Sequence, residues 1–61
     1  MTKERLLRRP EVEHRTGYKR SFIYKLMREG QFPQPVKLGS RAVAWRESDI
    51  DRWIQDRIRA A

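Results

Sequence analysis

The sequence predicts a small, mainly α fold of the winged helix-turn-helix class, with three helices and a short β-hairpin wing, and three observations carry that expectation. Two short helical segments meet at Gly17, a Gly39-Ser40 dipeptide separates two apolar stretches, and a longer amphipathic segment closes the chain. A helix pair joined by a tight, glycine-containing turn is the arrangement in which the first helix braces and the second enters a groove of duplex DNA.

Residues 1–9 are basic and polar except for Leu6 and Leu7, which are expected to dock on the core while the neighbouring cations stay wet. Pro10 opens the first helix, because the N–H it lacks would be unsatisfied there, and Glu11 and Glu13 complement the positive helix start. Val12 and Thr16 share a face at i, i+4, and Gly17 ends the helix. The second helix is expected over residues 20–29, where Ile23, Leu26 and Met27 form an i, i+3, i+4 stripe. Ser21, Lys25 and Arg28 lie on the opposite side, with Tyr24 on one flank and Phe22 on the other, and Gly30 supplies the stop.

Phe32-Pro33-Gln34-Pro35 excludes helix, since its two prolines remove donors and push their predecessors toward extended geometry. Val36-Lys37-Leu38 and Arg41-Ala42-Val43-Ala44-Trp45 then flank Gly39-Ser40, a dipeptide suited to a two-residue hairpin turn. That turn sets Val36 opposite Val43 and Leu38 opposite Arg41. Val36, Leu38, Val43 and Trp45 would share one side, with Arg41 at the tip. Residues 46–61 form the last helix, with Ile50, Trp53, Ile54 and Ile58 at i, i+3, i+4, i+8. Glu47, Asp49 and Asp51 crowd its first turns while Arg57 and Arg59 lie near its end, as the macrodipole favours. No repeat, linker or low-complexity segment interrupts the chain, and residues 1–61 read as one domain.

A chain of 61 residues buries only roughly 60% of the surface its unfolded form exposes, so the core is small. Cysteine is absent and His14 stands alone, which excludes disulfides and a Cys- or His-based metal site. Stability has to come from the few Leu, Ile, Val and Trp residues. No apolar run approaches the roughly 18 residues of a membrane span, and the start of the chain lacks the apolar stretch of a signal peptide, so a cytoplasmic location is expected. The formal net charge is +7, unevenly placed: residues 47–61 hold three arginines against four acidic residues, leaving +8 on the first 46. A polyanion is the expected partner.

Catalysis finds no support. There is no cysteine nucleophile, His14 projects away from Val12 and Thr16, and the glycines at 17, 30 and 39 are spaced as two helix stops and a turn rather than as a phosphate-cradling loop. Neither an enzymatic activity nor a cofactor is expected. The second helix instead reads as a recognition helix: Ser21, Lys25 and Arg28 face the major groove, where Arg28 or Lys25 can pair with guanine O6 and N7. Arg20 and Tyr24 are better placed for phosphates. Arg41, at the hairpin tip, suits the backbone or the minor groove, where arginine is favoured. Trp45 and Trp53 occupy apolar-face positions and belong to the core. Phe22 has two readings, a cover for the hairpin or a contact to thymine methyls.

Leu6-Leu7 with Pro10-Glu11-Val12, Arg15-Thr16-Gly17, Ile23-Tyr24, Gly30 with Phe32-Pro33, Pro35-Val36-Lys37-Leu38-Gly39, Arg41-Ala42-Val43 and Trp45-Arg46-Glu47-Ser48-Asp49-Ile50 closely resemble the AlpA family of phage and prophage regulators. The resemblance runs from about Leu6 to Ile58. It implies a MerR-like winged helix-turn-helix that acts as a transcriptional regulator or as an excisionase, a recombination directionality factor, of an integrated element. It also implies that the helix after Gly17 is the recognition helix, Arg41 the wing residue, and Trp45, Ile50 and Trp53 the core. Family members often carry Ser where this chain has Lys19 and Thr where it has Phe22. The usual cap of the recognition helix is therefore missing, at a cost of about 1 kcal/mol, and Lys19 adds a cation beside the DNA backbone.

Sequence-specific binding of double-stranded DNA is the leading reading, with an integrase or recombinase as a further candidate partner. The alternative is a protein-interaction module such as an antirepressor, docking through the aromatics Tyr18, Phe22 and Tyr24. RNA binding is weaker, because the chain lacks an aromatic sheet platform for unpaired bases. MerR proteins dimerise through a long C-terminal helix, for which the segment ending at Ala61 is short. A monomer in solution is expected, with any cooperative binding on DNA at spacings near ~10 bp.

Overall fold

The computed structural model describes residues 4–60. The ends of the predicted leading segment and last helix, residues 1–3 and 61, lie outside the described residues. In chain order the elements are β1 (Leu6–Leu7), α1 (Arg9–Thr16), α2 (Arg20–Arg28), β2 (Val36–Lys37), β3 (Val43–Arg46) and α3 (Glu47–Ala60). The fold is a winged helix-turn-helix.

The turn between the first two helices is fixed by one glycine and one hydroxyl. Gly17 adopts φ +79°, a left-handed conformation that side chains resist, and its N–H donates to the Glu13 carbonyl at 2.8 Å. The Thr16 hydroxyl donates to the Val12 carbonyl at 2.8 Å and accepts the Tyr18 N–H at 3.2 Å, so the chain enters α2 along one defined path. At the far end of α2, Gln31 N–H donates to the Leu26 carbonyl at 2.8 Å and Gly30 N–H to the Met27 carbonyl at 3.1 Å. That is the double closure of a Schellman motif, and it requires the positive φ of +70° that Gly30 supplies.

The strands differ from the expectation in two ways. The leading segment holds a strand: β1 pairs antiparallel with β3, Leu7 opposite Trp45 and Leu6 opposite Arg46, which makes β3 the centre of a three-stranded sheet. Alternation across the strand then lets only one of the two leucines reach the core: Leu7 is buried, whereas Leu6 is 41% exposed. The hairpin register is also shifted by one residue, with Val36 opposite Ala44 and Lys37 opposite Val43. A two-residue hairpin turn needs positive φ at its glycine, and Gly39 does not adopt it. Leu38 N–H donates instead to the Ala42 carbonyl at 2.7 Å, closing a three-residue loop of Gly39, Ser40 and Arg41. Val36 and Leu38 therefore leave the side shared by Val43 and Trp45, and Leu38 ends 49% exposed.

Leu7, Val12, Ile23, Leu26, Phe32, Trp45 and Ile50 form the core, with Tyr18, Met27, Val43, Trp53 and Ile54 packed around it. Trp45 is fully buried, as its position requires, and its indole N–H donates to the Pro33 carbonyl at 2.9 Å. The Trp53 indole N–H donates to the Gln31 carbonyl at 2.9 Å, so the two tryptophans pin the proline-rich segment. Ile58 departs from its predicted stripe: it is 61% exposed, one turn beyond the last side chain the core can cover. Arg15 ties α1 to α3 through Glu47 at 2.9 Å and Asp51 at 3.5 Å. No helix among the described residues is long and apolar enough to cross a membrane.

Candidate nucleic-acid interface

The core stripe of α2 decides what its other face presents. Ile23 and Leu26 are buried, so Ser21, Lys25 and Arg28 point outward and are exposed, as is Arg20. Tyr24 is half-buried on the flank, and its ring lies under the Arg20 guanidinium, 5.6 Å from centroid to Cζ. On the other flank the Lys25 ammonium sits 5.8 Å above the Phe22 ring. The negative ring faces hold these two cations in place without neutralising them.

The start of α2 runs against local preference. Lys19 occupies the N-cap with extended backbone and no side-chain cap, and the first turn contains no acidic residue. Cations at the positive end of a helix oppose its dipole, typically by about 0.3–1 kcal/mol. The missing cap expected from the sequence is thus present as missing.

Where the protein spends its carboxylates is equally informative. Among the described residues, ion pairs within 4.0 Å engage Arg5, Arg9 and Arg15. Lys19, Arg20, Lys25, Arg28 and Arg41 take part in none of them. The Arg15 guanidinium hydrogen-bonds the Glu11 carboxyl at 3.0 Å and holds it below its ordinary pKa, while the bonds to Glu11 and Glu47 raise that of Arg15. Arg15 joins α1 to α3, whereas the cations of α2 and the wing, like Arg46, Arg52, Arg57 and Arg59, enter no ion pair among the described residues.

The seven residues singled out in the sequence divide into two groups. Lys19, Arg20, Ser21, Lys25 and Arg28 all belong to α2 or its cap, and all are exposed. Tyr24 and Arg41 meet across a gap: they line one recess of about 260 Å³ together with Arg8, Arg9, Pro10 and Val43. Arg8 and Arg9 were not anticipated. In the sequence they belong to a solvated leading segment, and only the pairing of β1 with β3 carries them to the wing. The Phe22 ring meets Tyr18 edge-on at 4.7 Å, and Tyr18 in turn meets Trp53 at 5.8 Å.

A second, wider groove of about 680 Å³ runs between residues 30–34 and α3. Its lining carries Asp49 and Asp56 against Arg52 and Arg57, a balance with no preference for a polyanion.

A tight helix pair, a hairpin arm and one cationic face shared between them define a winged helix-turn-helix of the regulator type. The chain belongs to the AlpA family: the family's sequence model, described as Prophage CP4-57 regulatory protein (AlpA), matches residues 5–58. The "DNA-binding transcriptional activator AlpA" of Escherichia coli (strain K12) is 34% identical over 61 residues, covering 90% of this chain and 87% of that protein. The "Uncharacterized protein ORF88" of Enterobacteria phage P4 is 50% identical over 58 residues, 95% of this chain. The chain spans 66% of the length of that phage relative.

Proposed function

We propose that this protein binds double-stranded DNA sequence-specifically, as a phage or prophage regulator of transcription or as an excisionase, and that it has no enzymatic activity. The observation that carries this reading is the set of cations on α2 and the wing that no carboxylate of the described residues engages. Cations clustered on one helix and its wing attract a polyanion, whose phosphates take the place of the carboxylates they lack. In this reading Arg28 and Lys25 read guanine edges with Ser21 between them, Arg20, Tyr24 and Lys19 hold phosphates, and Arg41 reaches along the backbone or into the minor groove. The printed name of the Escherichia coli relative supports DNA binding and activation of transcription.

Docking on another regulator through aromatics has less support. Tyr18 is packed between Phe22 and Trp53, and Tyr24 is half-buried under Arg20, which leaves Phe22 as the one large exposed ring of the three. In the same reading the protein is a monomer in solution, any cooperative binding is between adjacent sites, and an integrase is a candidate partner on the same DNA.

The test is anisotropy of a labelled duplex taken from the protein's own genomic neighbourhood, against a scrambled duplex. Preference for the genomic sequence is expected. Arg28→Ala should weaken binding about tenfold and relax the preference at one base pair, a loss within the range for a bidentate base contact. Equal affinity for both duplexes, with Arg28→Ala unchanged, would sink the reading.

A further inference from the structure

The recess that joins the wing to α2 is more than a continuation of a basic surface. It is lined by Arg8, Arg9 and Pro10 from the start of α1, Tyr24 from α2, Arg41 from the hairpin loop and Val43 from β3. Arg8 and Arg9, neighbours in the chain, and Arg41 of the hairpin loop line it together, and cations gathered in one recess favour an anion between them. Arg9 is held from one side, its Nε donating to Glu13 Oε2 at 3.0 Å, an arrangement that fixes the fork while leaving its terminal nitrogens available. Arg8 and Arg41 have no carboxylate within 4.0 Å among the described residues. Arg8 is also the N-cap of α1 and provides no side-chain cap, so the positive end of that helix adds to the same field.

We propose that this recess is a binding site for a single phosphodiester of the DNA backbone, held by Arg8, Arg41 and the Tyr24 hydroxyl, with Arg9 completing the fork. The inference rests on the reading of α2 as the helix that enters the groove. A helix in the major groove is bordered by a backbone strand on each side. The flank of α2 that carries Tyr24 faces the recess, and the strand on that side passes between α2 and the wing. The site therefore sets how deep and at what angle α2 enters, and it does so for every sequence. Arg8 and Arg9 become positioning groups on the duplex without reading any base.

The test uses the full chain and a mixed-sequence 20-base-pair duplex, with affinity measured across a salt series. The double variant Arg8→Gln, Arg41→Gln should bind at least tenfold more weakly at low salt, with a log–log salt slope less negative by about 0.9 for the one phosphate released. A charge-matched double variant on α3, Arg52→Gln with Arg59→Gln, should leave the slope unchanged. Tyr24→Phe removes a donor and no charge, so it should weaken binding several-fold with the slope intact. Circular dichroism verifies that each variant is folded, and Arg8→Gln alone serves if the double variant is not. If the cleft variants behave like the α3 control while Arg28→Ala still impairs wild-type binding, the phosphate site is wrong and the DNA reading stands. If the wild-type protein binds no duplex, both fall.

Discussion

Lys19 sits at a helix start that its own charge opposes and that its side chain does not cap. A serine there, with the same extended backbone, would accept an N–H of the first turn, so Lys19→Ser should raise stability by about 1 kcal/mol in urea denaturation. The same change removes a cation from the proposed interface and should weaken duplex binding. Opposite signs on stability and affinity are the mark of a residue kept for its ligand, because a residue kept for the fold would move both together. Gly17 makes the converse case. A Cβ there meets nothing within 4 Å, so the cost of Gly17→Ala comes wholly from forcing φ +79° on an L side chain. A loss of about 1 kcal/mol is expected, together with weaker DNA binding, since the turn sets the direction in which α2 leaves α1.

Between elements, the Arg15 cluster is what fastens α1 to α3. Arg15 reaches Glu11 on its own helix and Glu47 and Asp51 on the last one. The hydrogen bond from Arg15 holds the Glu11 carboxyl below its ordinary value of 4.5. A carboxyl whose pKa is depressed by folding stabilises the native state above its unfolded pKa and loses that contribution as pH falls toward the folded one. The denaturation midpoint should therefore decline as pH drops below about 4.5, and Glu11→Gln should flatten that decline while lowering the midpoint at neutral pH. α2 and α3 were legible in the sequence because each carries an apolar stripe at helical spacing, and α1 because Pro10 and Gly17 mark its start and its end. β1 was not, since two leucines have no periodicity, and its existence depends on a partner strand about 40 residues away that local pattern does not encode. The hairpin register failed for a related reason: Gly39 signals a tight turn, but it lacks the positive φ that turn needs, and the Leu38–Ala42 bond places Arg41 inside a longer loop. The exposed face of α2 followed directly from its stripe. The Arg8 and Arg9 contribution to the wing side followed from β1, and was invisible for as long as that strand was.

The molecule as a whole separates its two electrostatic tasks in space. Glu11 and Glu13 on α1 and Glu47 and Asp51 on α3 pair with Arg5, Arg9 and Arg15, and the first 46 residues keep a net excess of cations that includes those of α2, the wing and the recess between them. Salt should act on these two parts differently. Part-exposed ion pairs contribute about 0–1 kcal/mol each and lose some of that when screened. Repulsion among the unpaired cations is relieved by the same screening. The two effects oppose one another within the fold, and nothing opposes the loss of phosphate attraction in the complex. With five phosphate contacts the log–log slope is about −4.5, so raising salt fourfold, from about 0.05 to 0.2 M, should weaken duplex binding about 500-fold. Over that range the thermal midpoint of the free protein should not fall. Parallel melting curves and binding isotherms in the same buffers check this, and a midpoint that dropped in step with affinity would mean that salt acts by unfolding the protein rather than by displacing it from DNA.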